Sequence, residues 1–283
     1  MTHVPPVLPA LTASPHPDAH HATDLDPRPA SPHGRGYRFE RLGINLVMAD
    51  MRFQAGDPSP GTPVPPFALP TLDGGTFTSA DLAARGPVLM IFGSATCPMT
   101  DSAAPGIIEL HRRFGQRVRF VMVNVREAHP GQQLPQPADF TTKVAHARAL
   151  QTLHGLPFEV AIDDLDGTVH RAFGPKPNSA YLLGQDGTIH FRAHWANDLA
   201  ALEDAVASAA TGRTPQRQLA SGVIAATRRM LPLLATVLDR AGRGAWRDMW
   251  RIAPPLAALA ALTKALRPLR RRKGAEPETS VRT

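Results

Sequence analysis

Val88-Leu-Met-Ile-Phe-Gly-Ser-Ala-Thr-Cys97-Pro98 is the stretch on which the fold of this chain turns. Residues 87–92 form a continuous apolar run of the length expected for a strand buried on both faces. Gly93, Ser94 and Thr96 are turn and cap types, and Pro98 suits the first position of a helix, where its missing N–H costs nothing. Downstream, Ile107, Leu110, His111 and Phe114 recur at three- and four-residue spacing, with Glu109, Arg112 and Arg113 on other faces. That pattern predicts an amphipathic helix over 99–114, kinked at Pro105. Cys97, the only cysteine, therefore stands where a strand turns into a helix. Unpaired N–H groups and the positive end of the helix dipole favour thiolate there, which makes Cys97 a candidate nucleophile. The competing reading is a small apolar filler, the usual role of a free cysteine.

Outward from this stretch, residues 118–125 read as a second buried strand, parallel to the first through a right-handed crossover. It runs out into Arg126-Glu127-Ala-His129-Pro130. A helix over 138–153, a strand over 158–162 and a turn at 164–167 follow. Strands at 180–183 and 188–193 flank the turn Asp186-Gly187, and a helix spans 197–210. Upstream, residues 67–69 and 76–78 form a hairpin about Asp73-Gly-Gly75, Ser79 caps 80–84, and 42–51 is a short helix or strand. The order predicts an α/β domain, a thioredoxin-like mixed sheet flanked by helices.

Composition divides the chain in three. Residues 1–55 read as a disordered or loosely structured arm, since the first 36 hold eight prolines and few large apolar side chains. Residues 56–212 are the globular domain. Residues 213–283 form a basic helical extension, with 15 Lys/Arg against four Asp/Glu, whereas 1–212 carry 16 against 20. The charge of +7 thus belongs to the extension and argues for a partner there rather than for nucleic-acid binding by the whole protein. In that extension Ile224, Thr227, Leu231, Leu234 and Leu238 share one helical face. The segment 252–269 is apolar and ends in Arg270-Arg-Arg-Lys273, as an interfacial anchor does. A membrane surface, a protein partner, or packing on the domain all fit that pattern. With neither a signal-like segment nor a run of 18 apolar residues, the expected location is cytoplasmic, with peripheral membrane attachment as a further option.

The strings Phe92-Gly-Ser-Ala-Thr-Cys97-Pro98 and Val125-Arg-Glu-Ala-His-Pro130, each after a buried strand, resemble the two signature segments of the iodothyronine deiodinase family within the thioredoxin-fold redoxins. Pro177-Asn-Ser-Ala-Tyr-Leu-Leu183 is similar to that family's approach to the next strand. The resemblance covers roughly residues 66–210. It implies that Cys97 replaces the family's selenocysteine, that Glu127 and His129 lie near the catalytic centre, and that Pro177 is a cis proline facing Cys97. Ser94, Thr96 and Pro98 would shape the site, Glu127 would orient His129, and His129 would give a proton or favour the thiolate as a cation. The reaction the resemblance implies is reductive dehalogenation of a halogenated aromatic or related monothiol chemistry, and the broader redoxin class would allow a hydroperoxide instead.

Ala95 stands where many family members have a second cysteine, so an oxidised Cys97 needs an external thiol such as glutathione or a thioredoxin and no other cofactor. A peroxiredoxin-type Pro-x-x-x-Thr-x-x-Cys is absent, Met90 and Ser94 standing at its Pro and Thr positions, which disfavours standard peroxiredoxin chemistry but leaves a one-cysteine thiol peroxidase as an alternative. Without Cys-x-x-Cys, dithiol chemistry is excluded. The histidines, including His16, His20, His21, His190 and His194, lack a ligand-set spacing, and no metal is expected. A redoxin-fold binding or scaffold protein is the reading outside enzymology.

Overall fold

The structure, a computed structural model, describes residues 37–273 and the side chains of residues 37–266. The proline-rich segment expected to be disordered, 1–36, lies outside the described residues. At the edge of the domain, α1 (Ile44–Asp50) settles the helix-or-strand alternative for 42–51. The hairpin forms as β1 (Ala68–Pro70) and β2 (Thr76–Thr78), pairing Leu69 with Phe77. Thr78, not Ser79, caps the next turn, its hydroxyl accepting the Asp81 N–H at 3.2 Å. Ser79 Oγ is occupied instead by the Phe67 N–H. A short α2 (Leu82–Arg85) leads into the central strand.

All six residues of β3 (Val88–Gly93) are buried, as the apolar run predicts. It is followed by α3 (Pro98–Phe114), β4 (Arg119–Asn124), α4 (Phe140–His154), β5 (Glu159–Ile162), α5 (Thr168–Ala172), β6 (Ala180–Leu183), β7 (Ile189–Ala193), α6 (Leu199–Ala209) and β8 (Leu219–Ala220). The sheet order is β5-β4-β3-β6-β7-β8. β3, β4 and β5 run parallel, β6 is antiparallel to β3, and β7 is antiparallel to β6. This is the thioredoxin-like mixed α/β sheet that the sequence predicts. Helix α5 and edge strand β8 are additions too short to leave a periodicity.

Alternation along the strands fills two cores. On one face Leu89, Ile91, Phe120, Met122 and Phe191 meet the apolar sides of α3, α4 and α6. On the other, Met90, Phe92, Val121, Val123 and Tyr181 meet Phe77 of the hairpin and Phe173. The two parallel strands so buried bring their C-terminal ends, Gly93 and Asn124, side by side. The loops that follow them, 94–97 and 125–130, are therefore neighbours.

Three helices complete the described chain: α7 (Val223–Ala241), α8 (Arg243–Ile252) and α9 (Pro254–Lys273). Of the face expected to be apolar on α7, Leu234 and Leu238 are buried, whereas Ile224 is 80% exposed. Leu234, Leu238, Ala245, Met249, Ala257 and Ala260 form a small core shared by the three helices. The expected segment 252–269 is broken at its start: Pro254 cannot give a helical N–H, and Ala253 adopts an extended φ of −145°.

Candidate active site

Cys97 is the N-cap of α3 and Pro98 its first residue, so the strand-to-helix turn forms where the sequence places it. The Cys97 N–H donates to Ser94 O at 3.2 Å, closing the turn. The turn is clasped to the next loop from both sides. Ser94 Oγ accepts the Ala128 N–H at 3.3 Å, and Thr96 Oγ1 accepts the His129 N–H at 3.1 Å. Beneath them lies the buried Glu127 carboxylate. Its Oε2 accepts the Thr96 N–H at 2.9 Å and the Thr96 hydroxyl at 2.6 Å, while Oε1 sits 2.9 Å from His146 Nδ1.

Contrary to the expectation that it orients His129, Glu127 does not hold the His129 ring. Its carboxylate goes to Thr96 and His146, and it reaches His129 only through the Thr96 hydroxyl and the His129 backbone. His146 and Lys143 were not singled out by sequence reasoning. They lie three apart on α4 with Ala147 and Leu150, a polar pair on a buried apolar face, which is the signal that could have found them. Burial pushes Lys143 down to about 8, against the pull of Asp163 and Glu127. Asp163, pushed up to about 6 chiefly by burial, accepts the Val169 and His170 N–H groups.

The thiol is closed in. Cys97 is 1% exposed, in an apolar cluster with Met99, Trp195 and Ala226, joined by Ala128 and Met230. Ala226 and Met230 belong to α7, so the C-terminal extension roofs the thiol. Asn197 Nδ2 donates to Ala226 O at 3.0 Å, and Arg229 donates to Asn197 O at 2.7 Å. Farther along α7, Arg240 makes paired bonds to Asp101 of α3 at 2.9 and 2.8 Å and one to Ala95 O at 2.7 Å. Burial opposes ionisation of Asp101, but His154 and Arg240 outweigh it and hold the carboxyl below its ordinary range.

Burial pushes the Cys97 thiol up to about 11, although the Thr100 hydroxyl and the N–H groups of Thr100 and Met99 pull the other way. The expected helix N-terminal donors are present, and desolvation under α7 exceeds them. Burial likewise pushes the His129 imidazole down to about 4. It is thus neutral near pH 7 and is not the thiolate-stabilising cation the sequence reading allowed. Pro177 is half-buried, and its preceding peptide is trans, not cis as the resemblance implies. Its neighbour Asn178 makes the polar link to the site, Nδ2 donating to Phe92 O at 3.1 Å and Thr100 Oγ1 at 3.3 Å. Among the described residues no group of three or more His, Cys, Asp or Glu could hold a metal ion.

The loop after His129 is also tied to the extension. The Gln133 N–H donates to Ala241 O at 3.0 Å, and a Cβ on Gly131 would lie 2.2 Å from that same oxygen. We expect Gly131→Ala to lower stability by about 1–3 kcal/mol through forced backbone displacement. Urea unfolding checks this, and an unchanged midpoint would refute it.

Residues 60–192, which include the Cys97 turn and the 125–130 loop, match the AhpC/TSA family. No curated protein matches the chain. Among solved structures, a conserved protein from Geobacillus kaustophilus is 17% identical over 60% of this chain and 90% of its own, with a TM-score of 0.48. Peroxidoxin BcpB from Mycobacterium tuberculosis is 19% identical over 53% of this chain and 95% of its own, at 0.40. A thioredoxin-family thiol:disulfide interchange protein from Chlorobium tepidum TLS is 20% identical over 55% and 99%, at 0.42.

Proposed function

We propose that the segment matching the AhpC/TSA family, residues 60–192, is a one-cysteine, thiol-dependent oxidoreductase that reduces a small electrophile at Cys97. The observation that carries this reading is the position of the thiol at the first turn of α3, faced by the Thr100 hydroxyl and the N–H groups of Thr100 and Met99. These donors favour thiolate over thiol once the roof over the cysteine admits water or substrate. Thr96, fixed by Glu127, sets the turn that presents the sulfur.

With a hydroperoxide, the thiolate attacks the distal oxygen: an S–O bond forms, the O–O bond breaks, and the expelled alkoxide takes up from solvent the proton that the thiol gave up on ionising, leaving as the alcohol. Cys97 is then a sulfenic acid. A first external thiol condenses with it, releasing water and forming a mixed disulfide. A second external thiol displaces Cys97 and departs as the oxidised disulfide, returning the free cysteine. Ala95 supplies no internal thiol, so both equivalents come from a reductant such as glutathione or a thioredoxin. His129, neutral at pH 7, enters as an uncharged imidazole rather than as a resting cation.

A hydroperoxide is favoured as the electrophile by the family match and by Trp195. The Trp195 indole N–H, in the thiol cluster, is buried with no acceptor among the described residues, and an oxygen-bearing substrate offers one. Reductive dehalogenation of a halogenated aromatic is the second reading, supported by the deiodinase-like segments and by the apolar lining of Met99, Trp195 and Met230.

The deciding assay supplies glutathione with either a hydroperoxide or an iodinated phenol and follows thiol consumption, iodide release and dimedone capture at Cys97, with Cys97→Ser as the blank. Peroxide-dependent consumption with dimedone capture, both absent from the blank, supports the proposal. Iodide release moves the substrate to the second reading. Consumption that survives in Cys97→Ser, or none with either substrate, overturns the assignment.

A further inference from the structure

We propose that the outward face of α9 docks on an anionic lipid surface, holding the protein at a membrane without crossing it. The helix has two unlike sides. Ala257 and Ala260 face inward on α7 and α8 in the small helical core. Leu259, Leu262 and Leu266, spaced by three and four residues, are 38%, 54% and 38% exposed and line up on the other side. Charge does not interrupt this stripe. The one charged residue between 254 and 266, Lys264, is turned to Asp239 at 2.7 Å. Trp250, on the adjoining α8, is 47% exposed, and an indole is well suited to the headgroup region.

The sequence of the same helix identifies the occupant. Residues 254–273 contain six Lys or Arg and no acid, with Arg267, Arg270, Arg271, Arg272 and Lys273 gathered at the end. An apolar stripe continued by a cationic run matches an acyl boundary overlaid by anionic headgroups. A second copy seated parallel on the stripe would bring two cationic runs together, which opposes that pairing. No helix among the described residues is long and apolar enough to cross a membrane, so the helix would lie flat.

Flotation of the full chain with vesicles tests this. Vesicles of phosphatidylcholine with phosphatidylglycerol should carry the protein at low salt, pure phosphatidylcholine vesicles should carry far less, and high salt should release it. Leu262→Glu lies on the exposed face, so it should preserve the circular dichroism spectrum while weakening vesicle binding about tenfold or more. Flotation that ignores lipid charge, no flotation at all, or binding unaltered in Leu262→Glu overturns the proposal. Self-association that Leu262→Glu abolishes, without vesicle binding, also overturns it and gives the face to a second copy.

Discussion

At pH 7, iodoacetamide will alkylate Cys97 about 100-fold more slowly than a free thiol. The factor is the ratio of thiolate fractions for a pKa of about 11 and the ordinary thiol value of 9.0 from which burial raises it. Steric closure by Ala226 and Met230 can only slow it further. The rate should rise steeply with pH and show no plateau near 9. Arg240→Ala removes the bonds that seat α7 on Asp101 and Ala95 O, and should accelerate alkylation without touching the sulfur. Fast, unshifted alkylation of the wild-type chain would refute this account of the closed thiol. The same shift has a thermodynamic sign. Because folding raises the thiol pKa, the unfolded chain loses its proton first. Stability is therefore intact below about 9 and declines as pH climbs through about 11, by about 3 kcal/mol. Cys97→Ser should flatten that part of the pH profile, which urea titrations at successive pH values would show.

Glu127→Ala will cost about 3 kcal/mol or more and remove turnover with it. One buried carboxylate takes the Thr96 N–H, the Thr96 hydroxyl and the His146 ring nitrogen. Without it the Thr96 N–H is left buried with no acceptor, and each such group costs about 1–3 kcal/mol. The turn that sets Cys97 at the helix terminus then has no anchor beneath it. Glu127→Gln keeps one oxygen for Thr96 and sets its amide opposite His146 Nδ1, so it should recover most of the stability. Chemical denaturation of both variants, read beside their alkylation rates, separates anchoring from charge. Equal loss in Gln and Ala would mean that the charge itself is what the turn needs.

The strand-turn-helix unit was legible because local signals agreed: an apolar run long enough for a strand, turn residues, a proline at the first helical position, and a 3.6-residue period after it. Residues 87–92 and 99–114 became Val88–Gly93 and Pro98–Phe114. Helix α5 escaped because five residues after a turn leave too little periodicity, and α8 because its arginines mask an apolar face only three turns long. The candidate site was legible only in part. Cys97, Thr96, Ser94 and Glu127 do converge, since the ends of adjacent parallel strands must lie together. His146 comes from a helix whose rotation no local pattern sets, and the neutral state of His129 follows from burial that depends on the whole fold. The roof over Cys97 was the least legible feature. Sequence reading saw an apolar face on α7 but had no means of saying what it would cover.

The roof and the thiol are also separated in time. Ala226 follows Cys97 by 129 positions, so at about 5–20 residues per second the ribosome takes roughly 6–26 s to make one after the other. Over that interval a nascent chain carries its only cysteine without the helix that later shields it. The newborn chain thus meets oxidants with its thiol unroofed, whereas the finished one meets them only when α7 gives way.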